Sequence, residues 1–140
     1  MTVTDFLLPV FVQVALTFAL LIRTAIGRVS SFRSGEVKPE DIALGEQGWP
    51  KKVTQYGNAF KNQFELPVLF YAVCLALYVT NGVSYVALVF AWLFVAARIV
   101  HAVIHVTMNR VRYRSPAFLA GVIMLGLMWI WFAAHIAGAV

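Results

Sequence analysis

Charged residues are scarce in this chain and cysteine is nearly absent. Of its 140 residues 12% are charged and 61% hydrophobic, against roughly 25% and 45–50% in soluble globular domains. That deficit excludes a water-soluble globular protein. A single cysteine, Cys74, excludes a framework of internal disulfides. The pI of 9.7 does not argue for nucleic acid when so few charges face water. Met1–Asp5 has no Lys or Arg, and no small-residue cleavage site follows the apolar stretch after it. Both features argue against a signal peptide and for a retained first helix over Phe6–Ile22.

What the chain does have is three uncharged runs, residues 6–22, 66–97 and 115–140, and runs of about 18 residues or more read as membrane spans. The run 66–97 is too long for one span and is interrupted by Thr80-Asn81-Gly82, a turn signal, so two helices meet there at a hairpin. Ser115-Pro116 reads as the entry to the last helix, because proline suits the first helical position. The expectation is an all-α integral membrane four-helix bundle, one domain over residues 1–140. Its helices run over about 5–28, 57–80, 84–110 and 116–138. A solvated loop at about 29–56, with Gly35, Pro39, Gly45, Gly48 and Pro50, has room for a short amphipathic helix. Arg23, Arg28, Arg33, Lys38, Lys51, Lys52 and Lys61 flank the first connection, and Arg110, Arg112 and Arg114 the third; the N-terminus, the hairpin and the C-terminus have none. By the positive-inside rule both termini face outward and the basic connections are cytoplasmic.

The ionisable residues inside the spans carry more information. Between Leu66 and Val79 the second helix offers about 21 Å of apolar length against a hydrocarbon core about 30 Å thick, so it draws Lys61, Asn62 and Glu65 towards the membrane. Counted from the hairpin, Glu65 and Arg98 lie at matching depth. A lone charge there costs about 2.5–3.5 kcal/mol or more, so the sequence predicts a Glu65–Arg98 pair facing the bundle interior, either as a structural ion pair that sets register or as part of a site. Arg98, His101 and His105 recur at i, i+3 and i+7, and Asn58, Asn62 and Glu65 at i, i+4 and i+7; each set lies on one helix face, in the same half of the membrane. A polar pocket at the inner boundary follows, although each histidine alone also reads as a satisfied core residue. His101-x-x-x-His105 has the spacing of two metal ligands, but zinc needs a third or fourth ligand and no Cys or Asp is adjacent, so no metal site is expected. His135, near the far end of the last helix, lies too distant to share a haem. Cys74, among apolar residues, reads as packing. Pro67 kinks the second helix beside Glu65 and frees the Gln63 carbonyl. The alternating Arg110, Arg112 and Arg114 form either a topogenic cluster touching lipid phosphate or an anion clamp at the pocket mouth.

At these residues the chain resembles the membrane-associated proteins in eicosanoid and glutathione metabolism, the MAPEG family, over most of its length. Asn62-Gln63-Phe64-Glu65 followed by Pro67 is similar to the family's Asn-x-x-Glu motif on the second helix. Arg98-Ile-Val-His101-Ala-Val-Ile-His105, continuing to Arg114-Ser115, lies without gaps on the corresponding stretch of the prostaglandin E synthase branch, and Arg28 matches the cytoplasmic end of the first helix. The resemblance implies a homotrimer with glutathione, as cosubstrate, bound in a U shape between neighbouring subunits. It implies that Arg114 is catalytic and stabilises the glutathione thiolate, while Arg28, Asn58, Lys61, Asn62, Glu65, Arg98, His101, His105 and Ser115 hold the peptide. The chain departs from the pattern at Asn58, where the family often has Arg, at His105, where it has Tyr, and at Phe118, where an aromatic hydroxyl is usual. The length of the 29–56 connection favours a bacterial-type transferase or peroxidase of the inner membrane. Its partners would be its own copies, glutathione, a lipophilic electrophile or lipid hydroperoxide and the bilayer, with no nucleic acid. Two other readings stand beside it: a small four-helix, proton-coupled multidrug-type transporter using Glu65, and a non-catalytic member of the fold.

Overall fold

The Thr2 hydroxyl accepts from the Asp5 amide, and the Asp5 carboxylate accepts from the Thr2 amide at 2.7 Å. This reciprocal cap satisfies two of the donors that a helix start leaves unpaired, and it opens the first helix of a computed structural model that describes residues 2–43, 45 and 48–140. Helix α1 (Val3–Arg33) runs five residues past the expected end near 28. Nothing between Arg28 and Arg33 breaks a helix, and the stop comes only where Gly35 turns to a φ of 71°. After a four-residue helix α2 (Pro39–Ile42), α3 (Lys51–Lys61) starts directly behind Pro50.

The second span departs most from the sequence reading, which made it one helix over about 57–80. It begins at Lys51, because Val53, Tyr56, Gly57 and Ala59 form an apolar face that packs inward. The expected 29–56 loop therefore shrinks to residues 34–50, of which Leu44, Glu46 and Gln47 lie outside the described residues. A 3-10 turn over Asn62–Phe64 follows α3, the backbone leaves helical geometry at Glu65 (φ −97°, ψ −104°), and α4 (Leu66–Val79) restarts with Pro67 in its first turn, where the missing N–H is no loss. Asn81 (φ 57°) and Gly82 make the hairpin into α5 (Tyr85–Val106), whose first turn is capped by the Ser84 hydroxyl accepting from the Ala87 amide at 3.2 Å. The last helix, α6 (Val111–Ile136), starts five residues before the Ser115-Pro116 entry signal. Pro116 sits inside it, so Arg112, Arg114 and Ser115 are helical rather than part of a connection.

The four spans pack in antiparallel succession, α5 most extensively on α6. The main cluster joins Phe6, Phe70, Val73, Cys74, Leu77, Ala87, Ala91, Phe94, Leu125 and Met128, with the Phe70 and Phe94 rings stacked at 4.5 Å between centroids. Alanines at the contacts let helices approach closely. The outer faces carry exposed Leu, Val, Ile and Trp, as a bundle that meets hydrocarbon requires. Four helices long and apolar enough to cross a membrane make this an all-α, multi-pass membrane protein. His135 ties the end of α6 to the hairpin through Nε2, 3.1 Å from the Thr80 carbonyl; a Cβ on Gly82 would come within 2.5 Å of its ring, so the turn needs glycine there.

Candidate functional site

Arg98, on α5, is fully buried. Its stem lies against Gly121 of α6, where a Cβ would be 3.6 Å from the Arg98 Cδ, and its guanidinium is 5.9 Å from the centre of the Phe118 ring. Nη2 donates to the Asn62 carbonyl at 2.9 Å and also to Asn62 Oδ1. The sequence predicts that Pro67 frees the Gln63 carbonyl; the carbonyl that Arg98 takes is instead that of Asn62, at the 3-10 turn where the chain leaves α-helical geometry. Asn62 Nδ2 in turn donates to Glu65 Oε2 at 2.6 Å. The expected direct Glu65–Arg98 pair is thus replaced by a relay through Asn62: the 3-10 turn points Asn62 inward and leaves Glu65 exposed.

One turn further along α5 the polar stripe meets the start of α6. His101 Nδ1 is 3.1 Å from the Arg114 carbonyl, and since a carbonyl only accepts, this nitrogen carries the hydrogen. The His105 ring lies 5.7 Å from that of His101. Below them the carbonyls at the end of α5 are capped from α3: Lys52 Nζ donates to Val106 at 2.9 Å and Thr107 at 3.1 Å, and the Gln55 amide donates to His105 and Thr107. The Arg114 guanidinium is held through Nη1 by Asn109 Oδ1.

These groups surround a cavity of about 260 Å³ lined by Asn62, Glu65, His101, His105, Arg114, Ser115 and Phe118. Six residues named from the sequence therefore come together, and Arg98 lies directly behind Asn62. Asn58 and Lys61 are exposed on α3, and Arg28 lies over the Trp49 ring at 5.1 Å; none of the three lines the cavity. Phe118, named from the sequence only as a departure from the family pattern, forms a wall of the cavity; it follows Arg114 by four residues and so shares its helix face. Sequence reasoning missed Asn109, which reaches Arg114 across a turn at a spacing no helical rule covers. A second omission is the buried pair in which Gln13 Nε2 donates to Gln63 Oε1 at 2.8 Å, the first inside an apolar run and the second within the Asn62–Glu65 motif.

The cavity lining sets the Glu65 carboxylate and the Arg114 guanidinium around one space. Arg98 Nε and Nη1, His101 Nε2 and His105 Nδ1 are buried without a hydrogen-bond partner. Groups of this kind cost about 1–3 kcal/mol each when left unsatisfied, which marks the place where water or a ligand completes the structure. The sequence profile of the MAPEG family matches residues 6–134. The chain belongs to the MAPEG family. No curated protein and no solved structure matches it. Both segments that supply the cavity of this MAPEG bundle, Asn62–Glu65 and Arg98–Phe118, fall within the matched region.

Proposed function

We propose that this MAPEG chain is a glutathione-dependent membrane transferase or peroxidase acting on hydrophobic electrophiles or lipid hydroperoxides. The observation that carries this reading is the cavity itself, which sets one carboxylate, Glu65, beside Arg114 and two histidines with unpartnered ring nitrogens. Glutathione has two carboxylates, one ammonium and a thiol, and the charges on the two sides are complementary. Arg98 suits a carboxylate, Glu65 the ammonium, and Arg114 favours thiolate over thiol by placing a cation near sulfur. The thiolate then attacks the electrophilic carbon, the new S–C bond forms, and the leaving group departs with its electron pair. Cys74, buried among apolar residues, takes no part.

At about 260 Å³ the cavity is smaller than the roughly 300–1,000 Å³ usual for ligand sites. Asn58 and Lys61 lie exposed within the turn before Asn62. Both facts support a homotrimer in which a neighbouring subunit closes the site and brings further residues, Arg28 among them, to the peptide. The distribution of Lys and Arg supports a cytoplasmic site with both termini outside.

Calorimetric titration of the detergent-purified protein with glutathione, with thiolate absorbance followed near pH 7, tests the proposal. Uptake and a thiolate signal are expected. Arg114→Gln should abolish the signal and cut turnover with an aryl halide by about 10²–10³, the usual scale for removing one preorganised electrostatic group, while weakening binding far less. A chain that takes up no glutathione would overturn the reading.

A further inference from the structure

The two arginines of the site are held in an unusual way for cations at membrane depth. Arg98 is held by the carbonyl and carboxamide of Asn62, and Arg114 by the carboxamide of Asn109. Neither forms an ion pair among the described residues, although Glu65 is close enough to take a hydrogen bond from the same Asn62. A carboxamide oxygen fixes the direction of a guanidinium without cancelling its charge, whereas a carboxylate in the same place would do both.

Asn109 is built for that task. It stands between α5 and α6 with a φ of 48°, a conformation that asparagine tolerates better than other residues bearing a Cβ. Its amide donates to the Ile104 carbonyl at 2.8 Å, which closes the end of α5. Its side chain then spans the turn to the Arg114 guanidinium, five residues on, while His101 holds the Arg114 backbone carbonyl from the other side. Backbone and side chain of Arg114 are thus restrained by two different residues, both neutral acceptor or donor partners.

We infer that Asn109 is a positioning residue for Arg114, aiming its guanidinium into the cavity while leaving its full positive charge to the anionic atom of the bound ligand. The inference rests on the proposed thiol chemistry. It adds that the partner of Arg114 must be neutral as well as correctly placed.

Three variants separate these points. Asn109→Gly keeps the left-handed backbone, which glycine adopts freely, and removes only the carboxamide. Asn109→Asp keeps the shape and adds a charge, and Asn109→Gln tests whether an amide at a different reach rescues. The readouts are the pH profile of thiolate absorbance with glutathione bound, and the guanidinium nitrogen resonances of arginine-labelled protein, with Arg114→Gln identifying the Arg114 signal. In the glycine variant the restrained Arg114 resonance should be lost and the apparent pKa of the bound thiol should rise by about one unit, a tenfold loss of thiolate at a given pH below the midpoint. In the aspartate variant the Arg114 resonance should stay restrained while the thiol pKa rises further, by about one to three units, as expected when a nearby cation is neutralised. Affinity for S-methylglutathione, which has no ionisable sulfur, should be unchanged in both. If the aspartate variant titrates like the unmodified protein, or if Arg114 is as restrained in the glycine variant as before, the inference falls while the proposed function stands. If the unmodified protein binds glutathione but never ionises it, or does not bind it, the proposed chemistry falls and takes this inference with it.

Discussion

Phe94 and Arg98 lie one turn apart on α5, both fully buried, and they belong to two kinds of interior. Around Phe94 the bundle is dry. Its ring stacks on Phe70, and the neighbours are Val73, Leu77, Ala91, Leu125 and Met128. Around Arg98 the surroundings are polar: Asn62 holds the guanidinium and itself donates to Glu65, with His101 and His105 one and two turns on. The dry region is satisfied by shape alone, so many apolar sequences would fill it. The polar region is satisfied only by named partners at fixed distances, and it retains orphaned nitrogens that the protein alone does not complete. Stability and ligand chemistry are thus assigned to neighbouring turns of one helix.

The sharpest way to break this comparison is Phe94→Ala. Truncating a buried aromatic should cost about 3–5 kcal/mol, read as a lowered melting temperature in detergent, while glutathione affinity of the folded fraction stays near that of the unmodified protein. A parallel loss of affinity would show that the two regions are one cooperative unit.

A smaller effect sharpens the polar side. A double-mutant cycle between Arg98 and Asn62 should give a coupling of about 1–3 kcal/mol, the range for hydrogen bonds to a charged group in contact. The same cycle between Arg98 and Glu65 should give less, because Asn62 stands between them. A larger value for Glu65 would restore the direct ion pair that depth matching predicted.

Next in size is the buried Gln13–Gln63 pair, next to Asn62 in sequence. Gln63→Leu should destabilise by about 1–3 kcal/mol, since it leaves the Gln13 amide buried and unpaired. Adding Gln13→Leu should recover most of the loss, and a purely additive double variant would show that the pair is not coupled.

The smallest effect is at the hairpin. Gly82→Ala places a Cβ against the His135 ring and should displace it from Thr80, at about 0.5–1.5 kcal/mol, the net value of one hydrogen bond. In a His135→Ala background the same change should cost measurably less by thermal melt, because the ring it collides with is gone.

Much of the site was readable because helices impose a spacing. Arg98, His101 and His105 share a face by periodicity; the two histidines are found on one wall of the cavity, and Arg98 lies behind Asn62. Asn62 and Glu65 were placed beside them correctly, but the partner of Arg98 was not. Depth along an antiparallel hairpin is a one-dimensional measure. It does not register that the chain leaves helical geometry at Glu65 and turns one side chain in and the next out. The start of α6 was misread for a related reason. Proline is tolerated at a first helical position and is also tolerated a turn and a half later when the helix starts at a membrane edge.

What the sequence by itself determined is the four-span, all-α membrane architecture and the end of the bundle at which its charge gathers. Both follow from local quantities, the transfer cost of apolar and charged groups and the need of every backbone group in hydrocarbon for a partner within its own helix. What only the tertiary structure decided is who holds whom: Asn62 on Arg98, Asn109 on Arg114, His101 on the Arg114 backbone and Gln13 on Gln63. Those choices join residues from different elements. Competing pairings there differ by the small net worth of a hydrogen bond, and only the full geometry of the packed helices selects among them.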